Sequence, residues 1–417
     1  MRKGVGLLLL LVLVWSGVPG FLSVKAELKT INVPDDCLTI GSALGNASGG
    51  DTIFVRMGTY REHSLVIDKP LTLVGENPSS TIITNIDNPW ASWNGEFPPP
   101  STVTIQISAD NVKISNFTIM NASANIVGSG SQFKLTNNII TRGYVRIEGN
   151  NNSITNNTIE TYIECKGFYN DIAENTIIGN SEGLVLEGSF NVVHGNILLN
   201  GINIGRIDVK GDGNVIFKNT ITNSSAGVYI YEGSENAVYE NRIVNNRGAI
   251  SLGKGYRNTF YRNYVANNIV GASISWGQTE INYKMLGPCT NDNSLYHNNF
   301  INNTYQVGTG YEMYGTDFFD SGKEGNYWSD YIGNDTNGDG IGDTPYIIDE
   351  RRRDNFPLML PFDIDNNKVV LPTPPQSESS SNLPSELIAA SVGAVVVVGA
   401  GLLLLTRRKR QKEAARE

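Results

Sequence analysis

Between about residue 103 and Asn303 the chain alternates apolar and polar residues in very short runs, separated by Gly and Asn. Val145 and Ile147, followed by Ile154, are typical: apolar residues stand at every second position, as in strands with one buried face. The pattern is self-similar. Asn152-SITN-Asn157, Asn170-DIAE-Asn175, Asn191-VVHG-Asn196 and Asn214-VIFK-Asn219 place two asparagines five residues apart. Asn236-AVYE-Asn241, Asn258-TFYR-Asn263 and Asn293-SLYH-Asn298 continue the series. Asn111-VKIS-Asn116 and the variant Gln132-FKLT-Asn137 open it, and the period is 18 to 23 residues with one larger gap before Asn293. A unit this short has no room for a crossover helix and cannot bury its apolar face alone. Stacked on copies of itself, each strand pairs with its equivalent one coil away, about 4.8 Å distant. The pattern predicts an all-β fold, a right-handed parallel β-helix of roughly eleven or twelve coils, about 50–60 Å long. A leucine-rich repeat has a similar period, but its leucine pattern is absent. The recurring asparagines then bond to one another up and down the stack at the bends, a structural role.

A solenoid has two raw ends that must be covered. Cys37-LTIGSALGNAS reads as a short amphipathic helix, with DTIFVRMGTY and LVIDKPLTLVGEN as the first strands. Near Asn303 the repeat stops, and Phe318, Phe319, Tyr327, Trp328 and Tyr331 follow among charges, a composition suited to an end cap. The expected organisation is a signal peptide over 1–26, a β-helix with its N-terminal cap over 27–303 and a C-terminal cap over 304–371. A Pro/Ser linker (372–386), a transmembrane helix (387–405) and a basic tail (406–417) complete it. Met1-Arg2-Lys3 followed by VGLLLLLVLVW has the flanks of a cleaved leader. Leu387 to Leu405 carries no charge, spans about 28 Å as a helix, and precedes Arg407, Arg408, Lys409 and Arg410. This predicts a single-pass protein of the cell membrane with its body outside the cell.

Charge changes the picture in two ways. The formal net charge of -9 argues against nucleic acid as a partner. Locally, Glu148, Lys166, Glu187, Lys210, Glu232 and Lys254 occupy one position in six successive coils with alternating sign. Stacked opposite charges attract, so the column reads as structural. In the last two of these coils the apolar parity shifts to Val228, Ile230 and Ile250, Leu252, which predicts a bulge that re-aims Glu232 and Lys254. The three cysteines, Cys37, Cys165 and Cys289, are far apart and odd in number, not a disulfide framework.

One stretch has metal-ligand spacing. Asp335, Asn337, Asp339 and Asp343, with the Ile341 carbonyl, fall at positions 1, 3, 5, 9 and 7 of a calcium loop. The twelfth residue is Tyr346 rather than Glu, so this is not an EF-hand; it is nearer a thrombospondin-type-3 loop. Structural Ca2+ is the expected cofactor, against a turn-rich cap whose aspartates are merely solvated.

The opening segment GDTIFVRMGTYREHSLVIDKPLTLVGE, the Asn-rich coils and the terminal GNYWSDY…DTNGDGIGDTPY…DNFPLM resemble the NosD-like family over about residues 30–362. That family belongs to the carbohydrate-binding and sugar-hydrolase group of the pectate-lyase-type fold. The resemblance implies an exported or surface-anchored β-helix; founding members assist copper-site maturation of nitrous oxide reductase. Against copper work, His63, His194 and His297 form no cluster in sequence, nor do the six Met. Against polysaccharide cleavage, the Gly-His-Gly and Arg-Ile-Lys of polygalacturonases are missing; Arg206-Ile207-Asp208 departs at its last position. The reading carried forward is glycan or cell-envelope binding, with a polysaccharide hydrolase or lyase, and a copper-related accessory protein, as alternatives. The candidate contacts are Trp90 and Trp93 in the insertion NIDNPWASWNGEFPPP, and Trp276 in a second insertion.

Overall fold

A computed structural model describes residues 27–86, 103–179, 182–199, 205–274, 290–308 and 317–364. They wind into a solenoid of three parallel sheets, two of them twelve strands deep and one eleven, with a further short strand paired off its path. One coil shows the plan. Tyr144–Glu148 lies in sheet 1, Ser153–Thr155 in sheet 2, Thr158–Ile159 in sheet 3, and Ile163–Lys166 returns to sheet 1 one layer on. Equivalent residues stay opposite each other: Val145 pairs with Ile163, Ile154 with Ile172, Ile159 with Ile177. Alternation of side chains sends those residues inward, where they are fully buried. Burying about 25 cal/mol per Å² of apolar surface on every strand is what makes the stacked coil stable when a single coil is not.

Each corner repeats one device. A residue in the left-handed region is followed by a buried asparagine: Asn156 (φ 56°) before Asn157, Glu174 (58°) before Asn175, Lys218 (54°) before Asn219. The left-handed turn costs a non-glycine residue about 1 kcal/mol, and the asparagine behind it offsets this with bonds. Asn196 donates its backbone N–H (3.0 Å) and its Nδ2 (2.9 Å) to Oδ1 of Asn219, and its Nδ2 also donates to the Ile172 carbonyl. Asn219 does the same to Asn241, and Asn241 to Asn263. A parallel ladder climbs the corner between sheets 1 and 2 through Asn191, Asn214, Asn236, Asn258 and Asn293. There Asn152 and Asn170 lack an acceptor for Nδ2. A third, shorter ladder runs Ser224, Asn246, Asn268, Asn303.

The first two coils correct the sequence register. Val112 and Phe117, then Phe133 and Asn138, occupy the ladder positions, while Asn111, Asn116, Gln132 and Asn137 are the left-handed residues before them. The phenylalanines are fully buried and donate only backbone N–H groups, Phe117 to Asn138 and Phe133 to Asn152. Apolar packing thus starts the ladders and amides continue them.

Every rung-to-rung bond points toward the C-terminal end, so the last rung needs an acceptor from outside the ladder. Asp317 Oδ1 accepts both donors of Asn293 (2.8 and 3.1 Å), and the Gln306 side-chain oxygen accepts Asn303 Nδ2 (2.9 Å). On the ladder that ends in Asn326, the buried Asp354 accepts the Asn326 N–H (2.7 Å). Asp354 also holds the cap, accepting Trp328 Nε1 at 2.8 Å. Trp328 is sandwiched between Phe300 (4.5 Å) and Tyr346 (4.4 Å), so the aromatic residues do close this end, although Phe318 is exposed. The other end is covered by helix α1 (Ile40–Asn46), capped by Thr39 and Ser42 and held by Glu62, which accepts from the Ile40 N–H. The leader (1–26), the linker (372–386), the apolar stretch 387–405 and the tail (406–417) lie outside the described residues. Among the described residues no helix is long and apolar enough to cross a membrane.

Candidate functional site

The outward face of sheet 1 gathers a cluster of charged side chains. Alternate residues of Tyr144–Glu148, Ile163–Lys166, Gly183–Glu187 and Arg206–Lys210 point out. They set Arg146, Glu148, Glu164, Lys166, Glu187, Asp208 and Lys210 on one wall. The register confirms the column from Glu148 to Lys254, one residue per coil. Its contacts differ from the expected simple alternation. Only the Lys166–Glu187 step closes directly, at 3.1 Å; Glu148 instead pairs with Arg146 of its own strand at 2.8 Å. Glu164, in the neighbouring column, ties the two together through Arg146 (3.7 Å) and Lys166 (3.2 Å). Burial pulls against it, but bonds to Glu187 and Glu164 hold Lys166 above its ordinary value, so it stays charged.

The expected bulge is present. Val209 pairs with Ile230 and Lys210 with Glu232, so Tyr231 is an extra residue in its strand. It is half exposed, edge-on to Tyr229 at 5.9 Å. In the next coil the equivalent residue is Gly253, where a Cβ would stand 2.6 Å from the Tyr231 carbonyl. The bulge is therefore accommodated without a side chain above it. Tyr231, Glu187, Asp208 and Lys210 line a groove of about 200 Å³ floored by Val185 and Val209. Asp208 Oδ2 bonds Arg206 at 2.7 Å, while its buried Oδ1 has no partner. The Arg206 guanidinium lies over Tyr229, 4.9 Å from the ring centre. Desolvation, then the Glu164 and Asp208 carboxylates, push Glu182 up against the opposing pull of Arg206. Desolvation likewise raises Tyr144, Tyr162 and Tyr229; all three stay neutral hydroxyls at ordinary pH.

Trp90, Trp93 and Trp276 lie outside the described residues, as does Cys289. The calcium-type residues lie in an exposed loop whose oxygens are engaged with backbone. Asp335 accepts from the N–H groups of Gly338, Asp339 and Gly340, Asp339 from that of Ile341, and Asp343 bonds Thr336. Asn337 links to Asp339 at 2.9 Å. Among the described residues no three His, Cys, Asp or Glu side chains form a group able to hold a metal. The histidines are separate as well. His194 approaches Asp171 (3.3 Å) and stacks on Phe217; His297 bonds Glu324 (2.7 Å) and stacks on Phe362; His63 is exposed. Cys37 and Cys165 are buried and unpaired, and burial pushes the Cys165 thiol up to about 12. A soft cation needs converging imidazole, thioether or thiolate ligands; the described residues do not fit copper.

An aromatic column that the asparagine spacing does not reveal runs along sheet 2. His194, Phe217, Tyr239, Tyr261 and Tyr296 stack in consecutive coils, centroids 4.9 to 5.7 Å apart. Each stands two residues before a ladder asparagine, a signal present in the sequence. The rings cover one another's faces, so this column is packing.

Residues 103–287 match the family described as periplasmic copper-binding protein (NosD). No curated protein matches the chain at a significant level. Among solved structures, a PL6 alginate lyase bound to a trisaccharide is similar with a TM-score of 0.48 and 12% identity, covering 70% of this chain and 85% of that one. An alginate lyase from Paenibacillus sp. gives 0.42 and 15%, covering 70% and 97%. The PL6 alginate lyase AlyGC gives 0.45 and 14%, covering 74% of this chain; here the match spans only half of the lyase. Over residues 103–287, then, the right-handed parallel β-helix is similar to the NosD family.

Proposed function

We propose that the outward face of sheet 1 is a glycan-contact surface and that the protein works outside the cytoplasm at the cell envelope. The observation that carries this is the groove beside the bulge: a half-exposed tyrosine, a lysine and two carboxylates around about 200 Å³, one carboxylate oxygen having no partner. The space suits roughly one sugar residue, being below the usual range for larger ligands. Tyrosine offers a flat apolar face with a polar tip. The carboxylates accept sugar hydroxyls, and the repeat along the solenoid axis lets a strand of sugars run across several coils. The family's periplasmic description supports the location outside the cytoplasm, and the apolar stretch 387–405 would anchor the body to the membrane.

The same reading keeps Trp90, Trp93 and Trp276 as carbohydrate contacts. The chain 87–102 joins the sheet 3 strand Thr81–Asn85 to the sheet 1 strand Val103–Ile107. It also keeps Ca2+ for Asp335, Asn337, Asp339, Asp343 and the Ile341 carbonyl as a structural ion of the cap. Binding of the full chain to a glycan array tests the surface: retention of a glycan that Tyr231→Ala releases, with unchanged melting, supports it, and an array without a hit overturns it. Calorimetric titration with calcium tests the loop, where no heat and no shift in melting on chelation remove the ion from the account.

A further inference from the structure

The pairing of charges on this face points to the chemical class of its ligand; the inference rests on the glycan reading above. We infer that sheet 1 accepts an uncharged glycan and discriminates against polyuronates. A polyuronate brings one carboxylate per sugar and needs a matching series of cations. The wall has Arg146, Lys166, Arg206 and Lys210, and three of these are already engaged by carboxylates of the protein. Arg146 holds Glu148 and Glu164, Lys166 holds Glu164 and Glu187, and Arg206 holds Asp208 while lying on Tyr229. Only Lys210 has no carboxylate within ion-pair distance among the described residues.

Carboxylates outnumber the cations instead. Against those four cations stand Glu148, Glu164, Glu182, Glu187 and Asp208, so the wall is negative by one charge. Asp208 lines the groove, and its buried Oδ1 has no bonding partner, nor has Nε of the adjacent Arg206. Burial first, and then the neighbouring Glu164 and Asp208 carboxylates, raise the Glu182 carboxyl against the pull of Arg206. A buried acceptor left unpaired costs free energy that a ligand recovers by donating to it. A sugar hydroxyl does so without bringing charge; a uronate carboxylate cannot donate and is repelled. The bulge completes the arrangement by setting Tyr231 beside Asp208, an apolar face next to an acceptor.

The test is calorimetry with the full chain against two sets of probes, neutral oligosaccharides (β-glucan, mannan and xylan hexamers) and hexamers of mannuronate and galacturonate. Each is titrated at low ionic strength and at about 0.15 M salt, where the screening length has shrunk to about 8 Å. The inference expects a neutral probe to bind with an affinity that salt does not change. Asp208→Asn and Tyr231→Ala should each weaken that binding by about tenfold or more, which is about 1.4 kcal/mol, with melting curves held. Two variants are used because Asp208 also holds Arg206, whereas Tyr231 is an exposed bulge residue. Preferential binding of a uronate, or an affinity that collapses in salt, overturns the inference and leaves the glycan reading in place. Binding of neither set overturns both.

Discussion

The asparagine corners and the outer wall of sheet 1 are both built from polar side chains repeated once per coil, yet they behave as opposites. In the corner between sheets 2 and 3 each amide is buried and has its donors and acceptor engaged; Asn219 bonds two neighbouring rungs and the carbonyls of Val193 and Phe217. On the wall the groups range from buried Arg146 to partly exposed Glu187, pair unevenly, and leave capacity over at Asp208. Repetition of a polar residue therefore does not mark a site. What marks one is an unequal balance of donors and acceptors.

The sharpest way to break the contrast is Asn219→Ala. It strips the acceptor from the buried Asn196 N–H and removes the Nδ2 donor from the Val193 and Phe217 carbonyls, and buried polar groups left alone cost about 1–3 kcal/mol each. We expect a loss of about 3 kcal/mol or more in unfolding experiments, with glycan affinity in the folded fraction unaltered. A loss near zero would show that water replaces the rung and that the corner is no more satisfied than the wall.

Acidification probes the terminating carboxylate in the same terms. Burial raises the Asp354 carboxyl from 3.8 to about 6 despite the N–H groups that favour its charged form. A carboxyl raised by folding contributes stability that is full below its unfolded value and is lost as pH rises through about 6. The cap should gain about 1 kcal/mol on going from about pH 7 to about pH 5. Asp354→Asn should flatten that slope in thermal melts; an equal slope in both proteins assigns it to other groups.

Smaller still is Glu187→Lys, which places three like charges in one column with Lys166 and Lys210. Because Glu187 is substantially exposed, the loss should stay at or below about 0.5 kcal/mol and shrink in salt. A loss as large as that of Asn219→Ala would mean the wall is as structural as the corner. The smallest effect on stability belongs to Tyr231→Ala, a change in melting within about a degree because the ring is exposed and outside the core. A clear destabilisation would make the ring a packing element.

The fold was legible because period and alternation state it directly: Val145, Ile147 and Ile154 had to face one interior. The ladder register failed in the first two coils for a physical reason. The left-handed position and the ladder position are adjacent, and both favour asparagine, so spacing alone cannot tell Asn116 from Phe117. The bulge was legible in the shifted parity at Val228 and Ile230, but the groove was not, since it depends on which oxygen of Asp208 is engaged. The charge column was read correctly as a register and incompletely as pairing, because Arg146 and Glu164 in the next column compete for its members. The aromatic stack from His194 to Tyr296 was present in the sequence at a fixed offset from each asparagine and was hidden by the mixture of His, Phe and Tyr.

The one-way ladders have a consequence resembling chain polymerisation. Phe117 and Phe133 act as the initiating group, each asparagine rung as a propagating unit that presents the same donors it received, and Asp317, Gln306 and Asp354 as terminators. Propagating units are interchangeable, so a tandem copy of one coil inserted at Asn219 would meet compatible neighbours on both sides. It would lengthen the body by about 4.8 Å. The terminators are not interchangeable with the rungs, since none of them passes donors on to a further asparagine; Gln306 spends its own on Ser329 and Asp330. Such a body varies its reach by changing the number of coils while its two ends stay fixed.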